Sequence, residues 1–185
     1  SVFPEIPHLL LVIGILASIS MIVGIIGAFG QTNLRRLLAF DVVSQVGFVL
    51  LGFASGGAGI IFYLIHMIVV EMNLFLIAGL IEKRGNCSKI VAFSFIVSAC
   101  ALAGVPPFSG FFGKFLIISG SFEAGWAISG VLALIMGLGT LILMGRVWEE
   151  YFWGENKGEA SKWQILSVLM LTVVSLLLSV FSPQI

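Results

Sequence analysis

The stretch "GVPPFSGFFGKF", residues 104–115, decides how this chain folds. It interrupts a long apolar run with two adjacent prolines and three glycines, and it carries a lysine. Proline removes a backbone donor and glycine loosens a helix, so we expect a helix break at Pro106 and Pro107 that reaches Gly110. Carbonyls freed by a break are tolerated at membrane depth only inside protein or beside water. The stretch therefore predicts a polar, hydrated pocket with Lys114 as its titratable group.

The composition places the chain in a lipid bilayer. Hydrophobic residues make up 59% of it and charged residues 10%, whereas soluble domains carry about 25% charged residues. The formal net charge is zero, so nothing indicates a nucleic-acid partner. A structural disulfide between Cys87 and Cys100 is not expected, because one lies in a basic loop and the other in an apolar run.

The apolar runs predict an all-α membrane protein, a single bundle over residues 1–185 with about six transmembrane helices. A helix needs about 20 mostly apolar residues to cross the hydrocarbon. The fourth of these spans is long enough to contain the break at Pro106 and Pro107. The predicted spans are residues 9–30, 34–53, 60–81, 90–119, 126–147 and 163–181.

The basic residues predict the orientation. Eight of the nine Lys and Arg residues fall in the loops after the first, third and fifth spans, and the ninth is Lys114. The positive-inside rule then puts these loops in the cytoplasm and both termini outside, most simply in a prokaryotic cell membrane. Residues 147–163 cluster aromatic and charged side chains and predict a segment lying at the cytoplasmic surface. Because the chain starts at Ser1, we expect its N-terminus to be processed or incomplete.

Glycines in two of the spans favour close packing of helix backbones, since small residues let helices approach each other. They are Gly24, Gly27 and Gly30 in the first span, and Gly137, Gly139 and Gly145 in the fifth.

Four ionisable residues lie within the predicted spans, where a charge costs roughly 2.5–3.5 kcal/mol and usually has a function. Asp41 shares a helical face with Ser44 and Gln45; it is either a buried functional acid or an interfacial acid turned towards the neighbouring arginines. Lys114 belongs either to the hydrated pocket or to the outer interface. These two residues, with His66 and Glu71, are our candidates for an ion pathway.

The polar side chains of the third span point in two different directions around the helix. Tyr63, His66 and Asn73 form one stripe, while Glu71 points about 140° away from His66. A helix with this pattern is expected to lie between two neighbours. His66 suits an interhelical hydrogen bond or proton transfer, whereas Glu71 needs a proton, a cation or water.

Four segments resemble the antiporter-like membrane subunits of respiratory complex I, membrane-bound hydrogenases and Mrp-type sodium/proton antiporters. "LAGVPPFSGFFGKF" (102–115) is similar to the L-A-G-[IV]-P-P-x-x-G-F-x-[GS]-K segment of that family. "QTNLRRLLAFDVVSQVGFVLLG" (31–52) resembles its Q-x-D-[IL]-K-R-[LV]-LAY-S-S-[IM]-S-Q-[IM]-G-Y stretch. "FYLIHMIVVEMNLFLIAG" (62–79) aligns without gaps to its F-H-L-x-x-H-A-x-F-K-A-L-L-F-L-x-x-G helix. "YFWGE" (151–155) is similar to the F-W-G-E found in the Mrp and hydrogenase branches.

The resemblance implies that Lys114 is the lysine of a broken helix in the proton-exit half-channel, within the second half of such a subunit. Glu71 stands where the family usually has a relay lysine, and Asp41 replaces a serine. Met67 takes the family histidine position, with His66 one residue earlier. The acid and lysine of the family's first half have no counterpart in this sequence, so transport of ions by this chain alone is not expected.

We therefore expect an ion-translocating, antiporter-like subunit that moves protons, with or without sodium, inside a larger complex. Its partners would be the lipid bilayer and other membrane subunits of a multisubunit antiporter or redox-driven oxidoreductase. The alternative is a non-conducting structural paralogue that seals or bridges neighbouring subunits. No nucleophile constellation, metal-ligand cluster or nucleotide loop is recognisable, so we expect no cofactor and no catalytic centre in this chain.

Overall fold

The computed structural model describes residues 7–56, 59–84, 88–152 and 162–181, and within these ranges the regular structure is entirely helical. Five of the helices are long and apolar enough to cross a membrane. The expected all-α membrane fold is thus confirmed, and the protein is a multi-pass membrane protein. The helices are α1 (Pro7–Phe29), α2 (Leu34–Ser55), α3 (Ile60–Arg84), α4 (Lys89–Ala103), α5 (Ser109–Glu123), α6 (Ala127–Phe152) and α7 (Lys162–Phe181).

The predicted fourth span is two short helices, α4 and α5, of 15 residues each. Each is about 22 Å long, which is less than the roughly 30 Å of a bilayer core. The break covers residues 104–108, where Gly104 ends α4 with a left-handed φ of 81°. Gly110, which we placed at the break, instead lies in the first turn of α5.

The predicted span at residues 126–147 ends too early, because α6 continues to Phe152 and so takes in the first part of the predicted surface segment at residues 147–163. Trp148 and Phe152 stack with ring centroids 4.9 Å apart, and the Phe152 ring lies 4.7 Å from that of Phe95 in α4. These aromatic contacts pack the end of α6 against α4. Residues 153–161 lie outside the described ranges.

Helix α3 is central and packs against α2, α4, α5 and α7, as its two polar directions predicted. The packing role of the glycines is confirmed in α1, where a methyl group at Gly24 would collide with the backbone of Ser44 in α2. It is wrong for Gly137 and Gly145, where an added methyl group would meet no described atom within 4 Å.

Several side chains tie the helices together where α1, α3 and α6 end, a region we call the basic end. Arg35 forms an ion pair with Glu82 at 2.8 Å, and Arg146 Nη1 donates to the carbonyl of Phe29 at 2.7 Å. The Tyr151 hydroxyl donates to the Thr32 carbonyl at 2.9 Å. The C-terminal part of α6 thereby satisfies the carbonyl of the last residue of α1 and a carbonyl in the connection between α1 and α2.

Two apolar clusters fill the bundle. The one nearer the basic end includes Leu38 and Leu74, and the other includes Phe48 and Met67. Along α2 the boundary between the clusters falls at Asp41, and along α3 it falls between Met67 and Val70, just before Glu71.

Candidate functional site

Lys114 lies in the second turn of α5, beside the helix break, and only 5% of it is exposed. Its Nζ donates a hydrogen bond of 2.8 Å to the carbonyl of Leu102 in the last turn of α4. The same nitrogen lies 4.6 Å from the centroid of the Phe48 ring. The last carbonyls of a helix lack helical partners and carry partial negative charge, so the ammonium group caps α4. Lys114 is therefore buried in the bundle and is not turned to the outer interface.

Asp41 of α2 and Glu71 of α3 form a buried carboxyl pair, with 0% and 5% exposure. Their carboxyl groups lie side by side, close enough to share a proton. Gln45 Nε2 donates to Asp41 Oδ2 at 3.2 Å, but Asp41 Oδ1 and both oxygens of Glu71 accept no hydrogen bond from any described residue. Two adjacent buried carboxylates repel each other when both are ionised, so such a pair favours holding one proton between them.

Lys114 interacts with this carboxyl pair through its charge but does not contact it. Its charge acts on both Asp41 and Glu71, yet it forms no direct ion pair with either. Lys114 is therefore not the directly paired cation that the sequence left open for Glu71. With one proton shared by the acids, the three side chains together carry no net charge.

Asp41 is also connected to α3 and approached by α6. The Tyr63 hydroxyl donates to Gln45 Oε1 at 2.6 Å, which completes a hydrogen-bonded chain from Tyr63 through Gln45 to Asp41. The Thr140 hydroxyl of α6 lies beside the same carboxyl. Ser44, which we expected on this face, packs against Gly24 of α1 instead. The buried position also excludes the alternative in which Asp41 turns towards the arginines.

His66 sits where α3 meets the start of α5. Its Nδ1 lies 2.8 Å from the hydroxyl of Ser109, whose backbone N–H in turn donates to Ser179 Oγ at 2.9 Å. The other ring nitrogen, Nε2, faces the Ala101 carbonyl without a hydrogen bond of ordinary geometry. Gly110 makes room for this arrangement, because a methyl group there would collide with both that carbonyl and Nε2.

The stripe of Tyr63, His66 and Asn73 on α3 engages different neighbours at successive levels. Tyr63 contacts α2 and His66 contacts α5, as described above. Asn73 Nδ2 donates to Ser98 of α4 at 2.8 Å and to Thr172 of α7 at 2.9 Å. Asp41, Glu71 and Lys114 are thus brought together, His66 lies at the helix break and interacts with Lys114 through its charge but not with the two acids, and Asn73 belongs to a separate polar cluster.

Sequence reasoning missed Ser109 and Thr140. Single hydroxyl residues are common in apolar helices, where they bond to their own backbone, and nothing in the local pattern marks these two. As to metals, the described ranges hold no group of three or more His, Cys, Asp or Glu side chains that could bind an ion.

A broken membrane helix beside a buried lysine and two buried acids defines an antiporter-like class of membrane protein. Residues 2–144 match the family model described as NADH:quinone oxidoreductase/Mrp antiporter, transmembrane. Since this is more than half of the sequence, the chain belongs to that family, and the resemblance seen in its motifs is confirmed.

Relatives and solved structures agree with this assignment. The chain is 37% identical to a Na(+)/H(+) antiporter subunit of Alkalihalophilus pseudofirmus, over 83% of this chain and 34% of that protein. It is similar to a chain in the structure of the Mrp complex from a Dietzia species, with 28% identity and a TM-score of 0.88, covering 96% of this chain and 45% of that one. A chain of respiratory complex I from Thermus thermophilus with bound NADH matches at 25% identity and a TM-score of 0.79, over 97% and 42% of the two chains. This chain therefore spans about a third of the curated relative and less than half of each structural relative.

Proposed function

We propose that this chain is an ion-translocating subunit of a larger membrane complex and contributes a proton half-channel. The observation that carries the proposal is the group of three buried, titratable side chains, Asp41, Glu71 and Lys114, beside the break between α4 and α5. Buried charges in a membrane are costly and mark ion pathways when they are not locked in direct pairs.

The arrangement suggests how a proton would pass. The carboxyl pair holds one proton, and Lys114 holds another while it caps α4 at Leu102. Delivery of a proton to the pair leaves an excess positive charge, which Lys114 relieves by releasing its own proton. His66 lies next to the break and can accept it at Nε2, which accepts no hydrogen bond from any described residue and faces the Ala101 carbonyl, to which the added proton would be donated.

The family supports a host of the Mrp type or of the respiratory type, with other membrane subunits as partners and protons, with or without sodium, as the transported ions. We infer that the chain corresponds to the second half of an antiporter-like subunit. The distribution of basic residues supports a cytoplasmic basic end and external termini in a prokaryotic cell membrane.

One observation favours the alternative of a non-conducting structural paralogue. Lys114 makes a short hydrogen bond to a backbone carbonyl, as a permanent helix cap would. In that case the lysine would hold α4 and α5 together and would not exchange protons.

The two functions are separated by replacing Lys114 with methionine, which keeps much of the side-chain length and removes the charge. The variant is assembled in its complex in liposomes, and both complex yield and ion flux are measured. A relay predicts normal yield with lost flux. Normal flux from a well-assembled Lys114→Met complex would contradict the relay.

A further inference from the structure

A second polar cluster lies between α3, α4 and α7, and the proposed relay does not use it. None of its side chains is charged, and each is at most 3% exposed. The cluster consists of Asn73, Ser94, Ser98, Thr172 and Ser175. We call these residues, together with Ser179 and Ser109, the serine ladder.

The hydrogen bonds of this cluster are incomplete. Asn73 Nδ2 is bonded to Ser98 and Thr172, but Asn73 Oδ1, Ser94 Oγ and Ser175 Oγ have no hydrogen-bond partner among the described residues. An unsatisfied buried group costs roughly 1–3 kcal/mol. Three such oxygens on three different helices are groups that buried waters satisfy, and more than one water is needed because Ser94 and Ser175 lie on opposite sides of the level of Asn73.

The polar groups follow one another along the bundle. Ser94 precedes Ser98 by one turn of α4, and Ser175 follows Thr172 by about one turn of α7. Both α4 and α7 start at the basic end, so the ladder runs away from that end. Ser94 lies five residues, or about 7.5 Å, from the first residue of α4.

At its other end the ladder reaches His66. The Ser179 hydroxyl donates to the Ser175 carbonyl at 3.0 Å and accepts from the backbone of Ser109. The Ser109 hydroxyl then contacts His66 Nδ1 at 2.8 Å. One ring nitrogen of His66 therefore faces the ladder, and the other faces the break that Lys114 caps.

We propose that the serine ladder is a hydrated path that carries protons between His66 and the basic end of the bundle. The inference rests on the proposed function and specifies the route by which the relay meets one aqueous side. A hydroxyl both donates and accepts hydrogen bonds, so hydroxyls bridged by water pass a proton on without holding a charge. The Ser175 carbonyl and the Ser109 backbone N–H only hold the Ser179 hydroxyl in place, so the proton crosses these steps through water between the hydroxyls. Each hydroxyl or water takes up one proton and releases another, and the path itself is left unchanged.

The first test measures hydration and does not depend on transport. In a background lacking Cys87 and Cys100, single cysteines at Ser94 and Ser175 are exposed to a small water-soluble methanethiosulfonate in the assembled, membrane-embedded complex. The control is Val173→Cys, one residue from Thr172 on the outward face of α7, where the side chain is 52% exposed. We expect labelling at the two ladder positions and none at the control. An unlabelled, dry ladder would overturn the proposal.

The second test measures proton flux. Ser175→Ala removes the hydroxyl without adding bulk at this buried position, and Val173→Ala is its control. We expect Ser175→Ala to assemble normally and to lose flux, and the control to keep it. Normal flux in Ser175→Ala refutes the path even if the ladder is labelled.

The two proposals fail separately. Lost flux in Lys114→Met with normal flux in Ser175→Ala removes the ladder and leaves the relay. Normal flux in Lys114→Met with lost flux in Ser175→Ala removes the lysine relay and leaves the ladder.

Discussion

Asp41 and Glu71 place two acids at one point inside an apolar bundle. Breaking a buried pair of opposite charge costs roughly 3–5 kcal/mol, because one charge is left without a partner. Replacing one member of a like-charged pair by its neutral amide has the opposite effect on the free energy of unfolding. It stabilises the fold, since it removes repulsion and supplies an amide donor to the remaining carboxyl.

We therefore expect Glu71→Gln and Asp41→Asn to leave the stability of the purified protein unchanged or to raise it, while coupled ion flux falls. The control is Glu82→Gln on the same helix, which removes a partly exposed pair with Arg35 worth about 0.2–1 kcal/mol and should alter flux little. Thermal unfolding in detergent and flux in liposomes are the measurements. A large loss of stability in Glu71→Gln would mean that the residue serves as a structural ion-pair partner.

Gly110 is required by crowding at the break. An alanine there would press its methyl group against the Ala101 carbonyl and His66 Nε2. Overpacking of this kind costs roughly 1–3 kcal/mol, so Gly110→Ala should lower the thermal stability. Gly137→Ala, where the methyl group meets open space, should be neutral or slightly stabilising. Equal stability of the two variants would contradict the crowding.

The sequence predicted which residues belong to the candidate site better than it predicted the contacts between them. The spacing of Asp41 and Gln45 predicted their shared face, and the hydrogen bond between them confirms it. Helical periodicity gave the direction of Glu71 but not its neighbour, because which helix fills a given direction depends on packing across the bundle. Thr140 reaches Asp41 from a helix about 100 positions away, a relation that no local pattern encodes.

Among the elements, the broken span formed by α4 and α5 was predicted best. Proline and glycine act locally, so the break lies within a few residues of the expected position. The end of α6 was predicted worst, because a run of aromatic and charged residues is typical both of a membrane surface and of a helix end that packs on its neighbours. The helix continues to Phe152 and packs on Phe95 of α4, a tertiary contact that the local sequence does not reveal.

The packing of α1 on α2 gives a prediction for these elements. Gly24→Val would push the backbone of Ser44 away and separate the two helices, and we expect a loss of roughly 1–3 kcal/mol. Gly145→Val in α6 is the matched control, since it meets no neighbouring atom within 4 Å. Denaturation of the purified protein measures both. Comparable losses of stability in the two variants would show that the added side-chain volume, and not the contact with Ser44, causes the loss.

For the whole molecule, the orientation is the property most open to a direct test. With Cys100 replaced by alanine, Cys87 is the remaining thiol. Because its loop is basic, we expect an impermeant reagent to label it only from the cytoplasmic side. Labelling of intact cells would place this loop outside and reverse the topology.

The ties at the basic end have a consequence for the order of events during synthesis. Arg35 leaves the ribosome well before Glu82, and the carbonyl of Phe29 waits for Arg146, which is 117 positions later. While the early helices enter the bilayer, Arg35 therefore has no partner and its full charge is available to decide which side of the membrane it stays on. Only when α3 arrives does Arg35 acquire Glu82, and only when α6 arrives does the Phe29 carbonyl acquire Arg146. By the positive-inside rule we expect Arg35 to help orient the nascent chain first and to tie α2 to α3 afterwards.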